Sequence, residues 1–332
     1  MDSGFGHRPV ARGEPGFFSL LVGDGRAPLA LVAVGLIVAG AFAFFLSATG
    51  ELLPHDIAYL GMSAADLKRF DDGRVLDFMF HDRVAFGGTL VAVGTLYLWL
   101  IAVPLASGER WAWRLLAGTG VFGFLSFFAY IGYGYFDSWH AAATGALLVP
   151  FVVGLNRTRA SCRAAPARNA WRPRISSAAG IGRALLLLTA TGMIVAGLTI
   201  VTIGAVVVFV PQDTAFLGLD RSQLEAINPH LVPLIAHDRA GFGGALATTG
   251  FTVAGIVWRA RPSRALWQAI LVAGSVGFGA AIGIHGLIGY IDLSHVGPAI
   301  AGAAVFAVGI APYPRAAAPE AVAADGTAPI PA

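Results

Sequence analysis

The sequence predicts an all-α, polytopic membrane protein with eight transmembrane helices, arranged as two tandem, parallel four-helix bundles. Three observations support this fold class: a composition poor in charge, eight long apolar stretches, and a second half that repeats the first. Of the 332 residues, 56% are hydrophobic and only 12% are charged, about half the ~25% that is usual for a soluble domain. This composition excludes a disordered chain, a nucleic-acid-binding protein and an ordinary soluble enzyme.

Each predicted span is a stretch without Asp, Glu, Lys or Arg that is about long enough to cross ~30 Å of hydrocarbon. Because the bilayer core offers no water, the backbone in these stretches must satisfy its own hydrogen bonds. A helix does so within a single segment, so helices are expected. The eight predicted spans are 27–49, 84–106, 115–136, 139–155, 184–210, 240–258, 265–291 and 293–312.

The distribution of basic residues predicts which side of the membrane each loop occupies. With the N-terminus inside, 16 of the 22 Lys and Arg residues fall on the inner side and six fall in the outer loops. The positive-inside rule then places both termini in the cytoplasm, with the protein in the cell's inner (plasma) membrane. We expect a cytoplasmic segment over 1–26, a basic cytoplasmic linker over 156–183 and a disordered cytoplasmic tail over 313–332.

The two halves, 27–155 and 184–312, are copies of each other. Three pairs of motifs recur in the same order, and the offset drifts only from 157 to 155 residues. Four spans in each half mean that both halves enter the membrane in the same direction, so the repeat is parallel and not inverted. The matching motifs are LPHDIAYLGM (53–62) with VPQDTAFLGL (210–219), HDRVAFGG (81–88) with HDRAGFGG (237–244), and YFDSWH (135–140) with YIDLSH (290–295).

Each half also carries a long outer loop with its own helix-start signal. Ser63 stands three residues before Asp66, and Asp220 stands three residues before Gln223. Such spacings are typical of capping boxes, in which two side chains and two backbone N–H groups bond reciprocally. The loops therefore predict short surface helices over 63–70 and 220–227.

Four histidines form the strongest chemical signal, because they recur as two duplicated pairs. His81 and His140 begin the second and fourth spans of the first half, and His237 and His295 occupy the same places in the second half. Both helices of a pair run from outside to inside, so the two imidazoles of each half should lie at similar depth. We therefore expect His81 to face His140, and His237 to face His295, as metal ligands.

Two imidazoles that face each other across a bundle can ligate a heme iron axially, with the porphyrin between the helices. Arg83 and Arg239, two residues after the first histidine of each pair, would then contact the heme propionates. Asp137 and Asp292 would accept hydrogen bonds from the ligating imidazoles. The sequence thus predicts a heme cofactor. Two His with scattered Asp could instead bind Zn or Cu.

This arrangement resembles the heme A synthase family, in which a duplicated four-helix bundle carries a histidine pair in each half. The resemblance implies a structural heme b at His237 and His295, and oxidation of a second heme in the first half. The family places a Glu three residues before the first histidine, where this chain has Phe78. Asp77 is the nearest acid and so the candidate catalytic residue. The family's frequent outer-loop cysteine pair is absent, because Cys162 is the only cysteine.

The sequence also allows other interpretations of single histidines and of the function. His285 lies inside the seventh span where the first half has Tyr130, and it is a candidate for proton relay, cofactor ligation or quinone contact. His55 and His230 have no repeat partners and are expected to be solvated loop residues. The expected partners are the bilayer and a quinone or another membrane redox partner. The alternative functions are a non-heme transporter and a membrane assembly factor whose acidic outer loops bind a partner.

Overall fold

The computed structural model describes residues 23–126, 135–164 and 171–312, and every regular element in these ranges is helical. The predicted tail 313–332, most of the segment 1–26 and the end of the third span fall outside them. In chain order the helices are α1 (Arg26–Thr49), α2 (Pro54–Leu60), α3 (Ala64–Leu67), α4 (Arg74–Leu100), α5 (Arg110–Ser126), α6 (Ser138–Ala164), α7 (Ala178–Val206), α8 (Pro211–Leu217), α9 (Arg221–Ile227), α10 (Leu231–Arg259), α11 (Arg264–Ile288) and α12 (Leu293–Ile310).

Seven segments within the described ranges are long and apolar enough to cross a membrane, and they contain α1, α4, α6, α7, α10, α11 and α12. This confirms a multi-pass, all-helical membrane protein. Helix α5 covers the first part of the predicted third span and is described as far as Ser126.

The short helices predicted in the outer loops are present as α3 and α9, although α3 ends at Leu67, three residues before the predicted end. Ser63 accepts a hydrogen bond from the backbone N–H of Asp66, and Asp66 accepts one in return from the backbone N–H of Ser63. Asp220 and Gln223 form the same capping box at α9. Two further short helices, α2 and α8, precede them at equivalent places. The end of the bundle where these four short helices lie is called the cap end.

The long helices interlock across the two halves. Helix α4 packs against α1 of its own half but also against α11 of the other half, and it makes little contact with α5. Helix α10 correspondingly packs against α7 of its own half and against α5 of the other, and α4 and α10 also contact each other. These two helices are the most deeply buried of the spans. The contacts of each half are therefore completed by helices of the other half.

Close helix crossings occur at equivalent glycines in the two halves. A Cβ atom on Gly87 would lie 2.9 Å from the carbonyl oxygen of Gly40, where α4 crosses α1. A Cβ atom on Gly243 would lie 2.7 Å from the carbonyl oxygen of Gly197, where α10 crosses α7. Small residues of this kind let membrane helices approach closely. These crossings set the depth of α4 and α10, and so of the two HDR motifs.

Candidate metal centre

Three buried or half-buried histidines meet at the cap end, from α4, α11 and α12; they are called cluster A. The Nε2 atoms of His81 and His285 lie 3.1 Å apart. The ring of His295 lies 5.7 Å from that of His81 and 5.3 Å from that of His285, between ring centres. One ring nitrogen from each of the three residues lies within 4.8 Å of the other two. This spacing is compact enough for the three imidazoles to share one metal ion.

A second cluster, called cluster B, joins His55, Asp137 and His140 beside His237. Asp137 contacts the Nε2 of His55 at 3.0 Å and also the Nδ1 of His140. The rings of His140 and His237 lie 5.5 Å apart with an angle of 25° between their planes. His55, expected to be solvated, is thus part of a cluster, whereas His230 lies at the surface against Tyr59.

The predicted pairing of histidines within each half is wrong, because the pairs form across the halves. His81 of the first half meets His285 and His295 of the second, and His237 of the second half meets His140 of the first. The physical reason is the interlock of the helices. Since α4 packs on α11, and α10 packs on α5, each HDR motif lies on a helix that packs against the other half.

The hydrogen bonds of cluster A determine which ring nitrogens carry protons. The Nδ1 of His81 lies 2.9 Å from the carboxylate of Asp82, and the Nδ1 of His285 lies 2.6 Å from the carbonyl oxygen of Ala281. Both partners are acceptors, so both Nδ1 atoms donate. In neutral imidazoles, the two Nε2 atoms that face each other at 3.1 Å therefore both present lone pairs. Such a contact is repulsive unless a proton or a cation lies between the two nitrogens.

Cluster B differs from cluster A in its electrostatics, because the carboxylate of Asp137 already accepts hydrogen bonds from the imidazoles of His55 and His140. Burial would lower the pKa of His55, but the hydrogen bond to Asp137 and the charges of Asp56 and Asp137 outweigh it and raise that pKa above 6.5. Burial would raise the pKa of Asp137, but hydrogen bonds from His140 and His55 hold it well below its usual range. Cluster B is thus an ion cluster built on one ionised carboxylate.

Arg83 and Arg239, predicted to contact heme propionates, are instead held in buried ion pairs that cross the halves. Arg239 contacts Asp82 at 3.1 Å and Asp213 at 2.6 Å, and it also donates to the carbonyl oxygen of Val208. With both carboxylates and a carbonyl in place, its guanidinium is occupied by protein groups.

Arg83 of the first half makes the equivalent contacts. Arg83 contacts Asp56 and Asp238, each at 2.7 Å. Each arginine therefore bridges the short helix of its own half to the HDR aspartate of the other half. This linkage ties the imidazole of each HDR motif, through its neighbouring aspartate, to the opposite half of the protein.

Two tyrosines extend these networks to the cap end. The hydroxyl of Tyr290 donates to Asp213 at 2.8 Å, and that of Tyr135 donates to Asp56 at 3.1 Å. All four residues belong to the repeated motifs, so the duplication itself was the available signal. Sequence reasoning used them only to establish the repeat, because nothing in their spacing shows that they converge on an arginine.

The remaining predicted residues are not part of cluster A. Asp77 is half-buried one turn before His81, and neither candidate metal group found among the described residues includes it. Asp292 accepts hydrogen bonds from the backbone N–H groups of Ser294 and His295 and so caps α12. Asp292 was expected to accept a hydrogen bond from an imidazole, but it accepts from these backbone groups instead. Asp137 does contact imidazoles, those of His55 and His140 in cluster B.

A cavity of about 760 Å³ adjoins cluster A and lies among α4, α7, α10, α11 and α12. His81, His285 and His295 line its cap end, and its other walls are mostly apolar. Its size lies within the ~300–1,000 Å³ typical of small-molecule sites. A molecule in this cavity would reach the nitrogen atoms of cluster A.

The histidine contacts of cluster A differ from the predicted arrangement, in which each half holds a heme with its own histidine pair. Two axial nitrogens of one heme iron lie about 4 Å apart on opposite sides of the porphyrin, given Fe–N bonds of about 2 Å. His81 and His285 are already in contact at 3.1 Å, with their rings at 87°, which leaves no room for a porphyrin plane between them.

Comparisons with protein-family models, curated proteins and solved structures find no match for this chain.

Proposed function

We propose that this protein is an integral membrane metalloprotein of oxidoreductase type that binds one transition-metal ion at cluster A. The observation that carries the proposal is the contact of the two Nε2 atoms of His81 and His285, both of which present lone pairs. A cation that both nitrogens coordinate removes the repulsion between them.

The distances support a shared ion. Two nitrogens bound to one tetrahedral metal at about 2.05 Å lie about 3.3 Å from each other, and octahedral neighbours lie about 2.9 Å apart. The observed separation of 3.1 Å falls between these values. Axial ligation of a heme would require about 4 Å.

A proton shared by His81 and His285 is the competing explanation for this contact. The third histidine favours the metal, since a shared proton needs only two nitrogens, whereas His295 brings a third to within 4.8 Å. Both Nδ1–H groups are also held by acceptors, as is usual for metal-bound imidazoles. A set of three imidazoles suits copper, iron or zinc, and copper and iron would supply redox chemistry.

The wider proposal retains several predictions from the sequence. The predicted third span, 115–136, would complete eight membrane helices in two related four-helix repeats. The protein would lie in the inner (plasma) membrane with both termini in the cytoplasm. Heme, a transporter and an assembly factor remain alternatives that the experiment below separates from a mononuclear metal site.

The test is the metal content and visible spectrum of the protein purified in detergent from cells supplied with metals and heme. We expect about one equivalent of copper or iron per chain and no intense Soret band. The variants His81→Ala, His285→Ala and His295→Ala should each lose at least tenfold in bound metal. His230→Ala is the matched control, because His230 lies at the surface away from cluster A, and it should keep the wild-type metal content.

Three outcomes would contradict the proposal. Metal below one-tenth of an equivalent after reconstitution would leave the shared proton as the explanation of the contact. Equal metal content in all four variants would place the metal elsewhere. A Soret band lost in the cluster A variants would favour heme instead.

A further inference from the structure

We infer that the cavity beside cluster A binds an isoprenoid quinone, with its head group at the cap end and its tail among the apolar walls. Along α7 the cavity walls run from Leu188 to Ile203. This stretch of sixteen residues spans about 22 Å of helix, at a rise of about 1.5 Å per residue. The cavity is therefore elongated along the bundle axis, as a chain-like ligand requires.

The charged and amide side chains of the cavity are concentrated at one end, and the threonine hydroxyls elsewhere in the lining bond to carbonyl oxygens of their own helices. Gln212, Arg239 and Ser294 lie there beside the histidines, and Gln212 donates to Ser294 at 2.9 Å. The deeper walls are mostly apolar, and several of their side chains are large. They include Leu188, Val195, Ile270, Phe278, Val305 and Phe306. An amphiphile with a small polar head and a long hydrocarbon tail matches this gradient.

The cavity opens sideways to the membrane between α7 and α12. Leu188 and Val195 of α7 line the cavity and are 58% and 60% exposed, and Ala301 of α12 lines it and is exposed as well. The two helices are held together at the other end, where Gly182 and Gly309 approach closely. A ligand can therefore enter from the lipid, without passing through water.

The charges around the head-group region favour an uncharged head. Arg239 is the one Lys or Arg among the described residues that line the cavity, and Asp82 and Asp213 neutralise it. A phosphate head would find no unpaired cation among these lining residues. A quinone carbonyl needs only a hydrogen-bond donor, and Gln212 has a second amide hydrogen besides the one it gives to Ser294.

The choice of a quinone over another neutral lipid rests on the proposed function, because a quinone can exchange electrons with a metal ion at cluster A. The inference that the cavity holds a neutral, chain-like lipid does not depend on the metal. The two parts can therefore be tested in the same samples.

The experiment uses ubiquinone with two isoprene units, incubated with the full-length protein in detergent, followed by gel filtration, solvent extraction and ultraviolet quantification. Gly192→Phe places a large side chain into the cavity, where a Cβ atom would meet nothing within 4 Å. Gly145→Phe is the matched control, since Gly145 is an equally open helical glycine outside the cavity lining. We expect about one quinone per wild-type chain, at least tenfold weaker binding in Gly192→Phe, and no change in Gly145→Phe.

A second cavity variant, Ala301→Phe, covers the case in which Gly192→Phe fails to fold. Equal quinone binding in the folded cavity variants and the control would overturn the site. Equal competition by farnesol, which has an isoprenoid tail but no quinone ring, would overturn the head-group assignment. Metal is measured in the same samples. A wild-type protein that binds quinone but no metal contradicts only the proposed function. A wild-type protein that binds metal but no quinone contradicts only this inference.

Discussion

The buried ion pairs between the halves should make a large contribution to stability, and Arg239→Met tests this. Arg239 lies 3.1 Å from Asp82 and 2.6 Å from Asp213. At an effective dielectric constant of about 20, these separations correspond to attractions of about 5 and about 6 kcal/mol. Much of this attraction offsets the desolvation free energy of the three buried charged groups.

Removal of the arginine leaves two buried carboxylates without their cation. We expect Arg239→Met to lower the free energy of unfolding by about 3–5 kcal/mol, the usual cost of breaking a buried pair from one side. The Asp82→Ala substitution, combined with Arg239→Met, should cost less than the sum of the two single changes, because residues in one ion network do not act independently.

The assay is unfolding of the protein in mixed micelles, with the helical circular dichroism signal as the readout. Arg221→Met is the control, since Arg221 pairs with Glu225 at 2.8 Å on α9 while both side chains are about half exposed. Such exposed pairs contribute about 0.5 kcal/mol or less. If Arg239→Met were no more destabilising than Arg221→Met, the view that these pairs hold the halves together would be refuted.

Three further results are expected. A chain cut in the linker between the halves, and expressed as two pieces, should copurify as one complex, because the helices of each half pack on those of the other; pieces that purify separately would contradict the interlock. In NMR titrations of metal-free protein, the pKa of His55 should lie above 6.5, and Asp137→Asn should lower it, since the hydrogen bond and charge of Asp137 are then lost while the charge of Asp56 remains. The His55 pair therefore stabilises the fold fully below pH 6.5, and this contribution is lost as the pH rises through the folded pKa; an unchanged titration in Asp137→Asn would refute this. Gly197→Ala should cost about 1–3 kcal/mol, because its Cβ atom would meet the carbonyl oxygen of Gly243 at 2.6 Å, whereas Gly192→Ala, with open space, should cost less than 1 kcal/mol; equal costs would contradict the close crossing.

Much of the helical organisation was readable from local sequence. Long stretches without charge predict membrane helices because an unpaired charge or backbone polar group in hydrocarbon is costly, and seven such helices are present in the described ranges. The short helices α3 and α9 were predicted because a capping box involves residues only three apart. Helices α2 and α8 were missed, although Pro54 and Pro211 at their first positions are a known start signal.

The candidate site was only partly readable in this way. The duplication drew attention to His81, His237, His140 and His295, and all four lie in or beside the clusters. The solitary position of His285 in a membrane span marked it as unusual. Nothing in the sequence indicated that His285 would contact His81, because the two residues are 204 positions apart and belong to different halves.

The sequence by itself determined the membrane-spanning character, the order of the helices, the duplication and the residue types of the candidate site. These properties depend on composition and on spacings along the chain. The tertiary structure alone decided which helices are neighbours, and so which histidines meet. In a bilayer every helix is apolar around most of its surface, so hydrophobicity does not select its partner. That selection falls to close glycine crossings such as Gly40 with Gly87, and to buried ion pairs such as Arg239 with Asp82, which form only when particular helices meet at one depth.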